Sequence, residues 1–290
     1  MKKKKSNYTT LHTAIALIAF SALISGCTKD LYYVHSTVQE EMDKAIESGF
    51  DGMIVYVNQA GKSSFYSAGY NDRANQLPAD PHSLFKIASI SKLYMAAAAT
   101  MLVADGQLSL ESTLAELVPE TAGKIDYARE ITLKLMIQHR SGIRDYSWDP
   151  EVEGENFEDY MSFMSRIYDK PALFKPNKRY NYSNSNYLLL GEIMDRALGY
   201  SHQDYIQSEI LDQLGLVNTY KDYKASDTSA VMLGYLVGWD PDLRSWDFPL
   251  PGGNMVATAE DVGTFLRALV DGTLLTEEEQ AIYSSIYEYE

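Results

Sequence analysis

A serine hydroxyl becomes a useful nucleophile only when a neighbouring group takes its proton, and Ser89-Ile-Ser-Lys92 supplies such a neighbour. Residues three positions apart on a helix share a face, so the Lys92 amine can reach the Ser89 oxygen. The thirteen residues after Lys92, L-Y-M-A-A-A-A-T-M-L-V-A-D, predict one buried helix ending at Gly106. Ser-x-x-Lys also occurs at Ser83-Leu-Phe-Lys86, but that serine precedes a short apolar stretch without helical continuation and reads as a capping or loop residue. Ser89 instead sits where a loop enters the long helix, so its backbone N–H can face a substrate oxyanion and the helix dipole favours the developing charge. Lys92 would lie among Ile87, Ala88, Ile90 and Leu93. Partial desolvation there lowers the amine pKa and lets it accept a proton.

A second group is Tyr182-Ser-Asn184, 93 residues further on, within R-Y-N-Y-S-N-S-N-Y. A phenol beside a lysine ammonium can be held partly as phenolate, and an amide two residues on can orient the lysine or the substrate. Tyr-x-Asn recurs at Tyr56-Val-Asn58 within a predicted strand, whereas Tyr182 lies in a polar turn ahead of a helix, which suits a site loop better. In a chain with 22 tyrosines the alternative is an ordinary Tyr/Asn-rich loop.

The elements that must position these groups are legible in outline. Val34 to Glu47 has helical periodicity, and Met53–Val57 and Ser63–Tyr70, joined across Ala60-Gly61, predict a β-hairpin. Asn71 to His82 reads as a loop. Helices are predicted over Ile131–His139, Phe157–Ile167, Ser185–Leu198 and Ser201–Leu214, so that 95–215 is mainly helical. Thr258 and Thr276 cap two more. A two-stranded hairpin is marginal by itself, and no partner strands are evident before residue 280. Ile286 to Glu290, I-Y-E-Y-E, alternates like a strand just starting, so the sheet is expected to be incomplete in this chain.

With 290 residues and 46% hydrophobic content there is ample material for a core. The net charge is -15, and removing the basic N-terminal Lys2–Lys5 leaves 21 basic against 40 acidic residues, or -19. Such a surface repels nucleic acid and anionic headgroups. Lys2–Lys5 followed by the apolar Ala14–Ile24 run reads as a signal peptide, too short to span a bilayer as a mature helix. L-I-S-G-C at Leu23–Cys27 resembles the lipobox of bacterial lipoproteins, which implies a lipidated Cys27 as first mature residue. Cys27 is also the single cysteine, so it has no disulfide partner within the chain. The expected organisation is a signal peptide over 1–26, a tether over 27–33 and a globular domain over 34–290, held on the extracytoplasmic side of a bacterial envelope. Of the remaining histidines, His35, His82, His139 and His202, none has metal-ligand spacing, and His139 reads as structural, favoured at a helix C-terminus by a partial positive charge.

Together these segments resemble the serine β-lactamase and penicillin-binding protein superfamily, in particular the branch with class C β-lactamases, DD-carboxypeptidases and related esterases. The resemblance rests on L-F-K-I-A-S-I-S-K (Leu84–Lys92), L-M-I-Q-H-R-S-G-I-R-D-Y (Leu135–Tyr146), N-Y-S-N-S-N-Y-L-L-L-G (Asn181–Gly191) and P-G-G-N-M-V-A-T-A-E-D-V (Pro251–Val262). It implies an α+β fold in which a helical subdomain accompanies an antiparallel sheet packed by helices. It further implies an acyl-enzyme formed at Ser89, proton transfer shared by Lys92 and Tyr182, substrate contact by Asn184, and no metal or organic cofactor. The substrate class implied is β-lactams or D-Ala-containing cell-wall peptides. The family's third motif, Lys or His, then Thr or Ser, then Gly, is not found after residue 200, and Arg140-Ser-Gly142 reads as a helix C-terminal turn. Two other functions therefore stay open: a lipid-anchored esterase or peptidase with the same catalytic residues, and an inactive envelope lipoprotein that binds peptidoglycan fragments or a protein.

Overall fold

The computed structural model describes residues 37–148, 160–235 and 250–288. The signal peptide, Cys27, the tether, His35 and the first part of the Phe157–Ile167 helix lie outside the described residues. Helix α1 (Val38–Glu47) starts where Thr37 Oγ1 accepts the Glu40 amide at 3.2 Å, with Glu40 and Glu41 favourably placed in the first turn. Strands β1 (Gly52–Gln59) and β2 (Lys62–Asp72) pair antiparallel from Gly52↔Gly69 to Gln59↔Lys62. Their two-residue loop, Ala60-Gly61, has φ of 52° and 80°, the positive pair that a tight hairpin needs to match strand twist.

The hairpin has partners that its sequence does not announce. Strand β3 (Leu77–Pro78) pairs with β2 through a bulge between Tyr70 and Asp72, which corrects the reading of 71–82 as wholly loop. Two residues ending in a proline carry no alternating pattern, and Pro78 suits an edge because it has no N–H to donate. Ile46 of α1 lies over Gly69 so closely that a Cβ there would sit 2.8 Å from its Cδ1. On β1, Tyr56 is met by Gly263 of a later helix, whose missing Cβ would fall 2.7 Å from the ring.

Strand β4 (Phe85–Lys86) belongs to a second small antiparallel sheet and leads directly to Ser89. Next come a 3-10 turn (Ala88–Ile90) and α2 (Ser91–Ala104), ending at Asp105 and a left-handed Gly106. Helix α2 is apolar all round, and Tyr94, Met95, Ala96–Ala99 and Leu102 are buried, so it runs through the core rather than over it. The same core takes in α3 (Leu114–Leu117), α4 (Leu133–Ile137), α5 (Tyr160–Met164), α6 (Asn184–Leu198) and α7 (His202–Ile206); α6 and α7 lie against α2, and α4 and α5 pack on α6. A π-helical turn over Gln207–Leu211 joins α7 to α8 (Asp212–Leu214). Strands β5 (Thr219–Tyr220) and β6 (Val256–Ala257) complete the second sheet in the order β4-β6-β5. Helix α9 (Ala259–Asp271) is capped by Thr258, and its Asp261 accepts the Asn218 amide and the Thr219 hydroxyl, tying α9 to β5. The fold is α+β, as the motifs imply.

Helix α10 (Glu277–Tyr287) overturns the expectation of a strand beginning at Ile286. Thr276 and Glu279 form a reciprocal capping box, and Ile282, Tyr283 and Ile286, shielded from solvent, follow helical spacing. Ile286 is fully buried, and its carbonyl accepts Gln138 Nε2. Five residues of alternation at a chain end are too few to distinguish the two periods.

Tyr94 and Phe265 are both fully buried and stack at 3.6 Å between centroids, joining α2 to α9. Phe265→Ala is expected to remove about 3–5 kcal/mol of stability by leaving a cavity beside α2, read as a lower urea midpoint at unchanged m-value.

Candidate active site

Ser89 is delivered by a constrained turn. Ile87 N–H donates to Met255 O at 3.0 Å, Ser91 Oγ donates to Ala88 O at 2.6 Å, and Met255 N–H reaches Ser91 Oγ at 3.3 Å. These bonds hold Ala88 at φ 45°, a left-handed conformation that costs a non-glycine residue about 1–3 kcal/mol and persists only when its surroundings enforce it. Ser89 then lies in the first turn before α2, with Lys92 one turn on.

The Lys92 amine donates to Ser89 Oγ at 3.2 Å, Asn184 Oδ1 at 3.0 Å and Gly252 O at 2.7 Å. Lys92 is 6% exposed, and burial lowers its pKa from 10.5 to about 8, with Asp145 opposing the shift. Two of its three partners, the amide oxygen and the peptide carbonyl, can only accept. When Lys92 is neutral its two N–H groups go to those acceptors, and its lone pair faces Ser89.

The Tyr182 hydroxyl lies 2.7 Å from Ser89 Oγ and 3.3 Å from Asn184 Oδ1. Burial raises its pKa above 10, the hydrogen bond to Ser89 acts in the opposite direction, and Asp145 adds to the rise. Desolvation thus works against the partial phenolate that the sequence suggests and favours a protonated phenol.

Asn184 is held from behind. Asp145 Oδ2 accepts both its backbone N–H at 2.9 Å and its Nδ2 at 3.0 Å, while Asp145 Oδ1 accepts the Ser147 amide and hydroxyl at 2.9 and 2.7 Å. With Nδ2 engaged by Asp145, Oδ1 must turn towards Lys92.

A family model for beta-lactamase matches residues 34–285. The chain belongs to the beta-lactamase family. It is 26% identical over 208 residues to penicillin-binding protein 4* of Bacillus subtilis, covering 70% of this chain and 44% of that protein. To a beta-lactamase of Pseudomonas fluorescens it is 28% identical over 203 residues, covering 70% and 54%. The chain spans about half the length of these curated relatives. Among solved structures, the D-amino acid amidase of Ochrobactrum anthropi SV3 complexed with D-phenylalanine superposes with a TM-score of 0.74 at 25% identity, over 83% of this chain and 72% of that one. A class C beta lactamase of Rhodobacter sphaeroides superposes at 0.69 and 27% identity, over 84% and 68%.

In this beta-lactamase family chain, four of the five residues singled out from sequence, Ser89, Lys92, Tyr182 and Asn184, come within hydrogen-bond reach of one another; Cys27 lies outside the described residues. Ser83 and Lys86 do not join them. Their segment is extended rather than helical, and Lys86 lies over the Tyr223 ring at 4.4 Å. Tyr56 bonds Ser63, and Asn58 accepts Arg267 on β1. His202 is buried against Asp195 at 2.7 Å, and His82 packs on Phe65. His139 has a structural surrounding, but not the cationic one expected of it: burial first and Lys92 second lower its pKa to about 4, so the ring is neutral. Asp145, Gly252 and Ser147 went unrecognised as members of this network. Asp145 and Gly252 stand inside segments that carry the family resemblance, but no local spacing connects them to Ser89.

The depressed Lys92 pKa has a thermodynamic signature. Between pH 8 and 10.5 the unfolded chain still binds the lysine proton that the folded chain has released, so stability rises with pH across that window. Wild type is expected to gain up to about 3 kcal/mol relative to Lys92→Met over this range, measured by urea denaturation at each pH; a constant difference between the two proteins would contradict the shift.

Proposed function

We propose that this chain is a serine hydrolase that forms an acyl-enzyme at Ser89 and acts on β-lactams or D-Ala-containing cell-wall peptides. The observation that carries the reading is the convergence of the Lys92 amine and the Tyr182 hydroxyl on one serine oxygen. Lys92, neutral in part near pH 8, takes the Ser89 proton as Oγ bonds the acyl carbon. The helix N-terminal end, with the Ser89 N–H as one donor, favours the oxyanion. As the carbon–nitrogen bond breaks, Tyr182 donates its proton to the departing nitrogen and recovers one from Lys92, so the serine proton ends on the amine. Water then releases the acyl group from Ser89. No metal or organic cofactor enters these steps.

A second reading is an amidase or esterase with the same residues and no penicillin recognition. It is favoured by the apolar rim at the nucleophile, where Ile90, Tyr180 and Tyr182 are all exposed, and by the likeness to an amidase crystallised with D-phenylalanine. The resemblance of Leu23–Cys27 to a lipobox supports a bacterial envelope location through a lipid on Cys27, and the acidic composition argues against nucleic-acid partners.

Labelling with a fluorescent penicillin is expected to be abolished by Ser89→Ala, and equal labelling of both proteins would refute the acyl-enzyme at this residue. Turnover of short-chain nitrophenyl esters without penicillin labelling would select the second reading. In either case kcat/KM should rise with pH through about 8 as Lys92 loses its proton, and Lys92→Ala should lower it by about 100-fold or more. For the anchor, Cys27→Ser is expected to move the protein from the membrane to the soluble fraction; unchanged membrane association would dismiss lipidation at Cys27.

A further inference from the structure

Tyr182 reaches Ser89 from a turn that is open to solvent, and its ring is more than one-third exposed. What steadies it is His139, which grips residues 181–183 in three ways. Its carbonyl accepts the Asn181 amide at 2.9 Å. Its ring stacks on the Tyr182 ring, 4.4 Å between centroids and 30° between planes. Its Nδ1 lies 3.2 Å from the Ser183 amide and 3.3 Å from Asn186 Nδ2. The amide of Ser183 can only donate, and Asn186 Oδ1 is already taken by the Ser141 hydroxyl at 2.6 Å, which turns Nδ2 to the histidine. Both contacts therefore assign Nδ1 as an acceptor, with the proton on Nε2. Tyr187 packs 5.2 Å away and Tyr180 stands edge-on at 6.0 Å.

We infer that His139 is a positioning residue for Tyr182, whose neutral imidazole fixes the phenol over Ser89 by stacking on its ring and by accepting the amide that follows it. The inference rests on the acyl-enzyme reading of Ser89 for its functional meaning. Protonating the ring would set an N–H against the Ser183 N–H and bring a cation towards Lys92. The charged groups that act on the ring are Lys92, which opposes protonation, and Asp145, which favours it; burial and Lys92 together prevail and keep the ring neutral down to about pH 4.

Three measurements on the 290-residue chain test this. In wild type, nitrogen NMR of the imidazole at pH 7 should show Nδ1 without a proton; a proton on Nδ1 overturns the assignment, and this needs no variant. The Tyr182 titration, taken as the ultraviolet difference between each protein and its Tyr182→Phe partner, should move down towards 10 in a folded His139→Asn chain and stay raised in His139→Phe, which keeps the ring. An unchanged titration in His139→Asn overturns the proposal. On a turned-over ester, His139→Asn should lower kcat by about tenfold with little change in KM. In a Tyr182→Phe background the same change should cost less than about twofold, because a residue acting through Tyr182 has nothing left to position; a full second loss overturns the role. Ester turnover that survives Ser89→Ala would defeat the acyl-enzyme reading and leave the titration and NMR results to be judged separately.

Discussion

A lysine amine can be buried only where acceptors replace its water, and most of the site is organised by that requirement. An ammonium taken from water without partners costs several kcal/mol. Lys92 meets the demand with Ser89 Oγ, Asn184 Oδ1 and Gly252 O, contributed by three separate segments. The arrangement leaves the charged and neutral forms close in energy, which is what a proton carrier near neutral pH needs. It also makes the role of each partner unequal. Two can only accept, so the third, the serine, receives the lone pair when the proton leaves.

The acceptors must themselves be held, and the fold does this with polar contacts rather than bulk. Asp145 accepts the backbone N–H and Nδ2 of Asn184, and Ser147 Oγ lies 3.4 Å from the same Nδ2, which leaves the amide a single useful orientation. Gly252 has φ 79° and lies against Lys92 and Tyr187, where a Cβ would come within 3.1 Å of Lys92 Cγ. A side chain there would strain the backbone and crowd the amine together. On the other side of the serine, Ala88 is kept in a left-handed conformation by the bond from Ser91 and by that of its neighbour Ile87 to Met255, just before β6. The strained residue and the strictest contacts thus surround the one oxygen on which the proposed chemistry rests.

The charge pattern at the centre differs from the one the residue types suggest. Lysine beside tyrosine invites an ammonium–phenolate pair, and a histidine at a helix end invites a cation. Burial works against each of these: the lysine is lowered to about 8, the phenol raised and the imidazole kept neutral. Desolvation is the first cause of all three shifts, and it depends on how α2, α4 and α6 close around the groups.

What could be read from the chain alone was what local geometry decides. Ser89 and Lys92 are three residues apart on a helix, so their contact follows from helical rise, and the caps at Thr258 and Thr276 follow from the same short-range rules. The Ala60-Gly61 hairpin was legible for the same reason, whereas the α+β class came from the resemblance of four ordered segments to a known family. Tertiary structure alone decided the rest. Asp145 meets Asn184 across 39 residues, Lys92 meets Gly252 across 160, and the partner strand at Leu77–Pro78 and the helical course of Ile286 are set by what packs on them. Spacing along a chain fixes neighbours within a turn or a strand, but burial and distant acceptors exist only after the chain has folded, and these set both the protonation states and the direction in which the serine proton can leave.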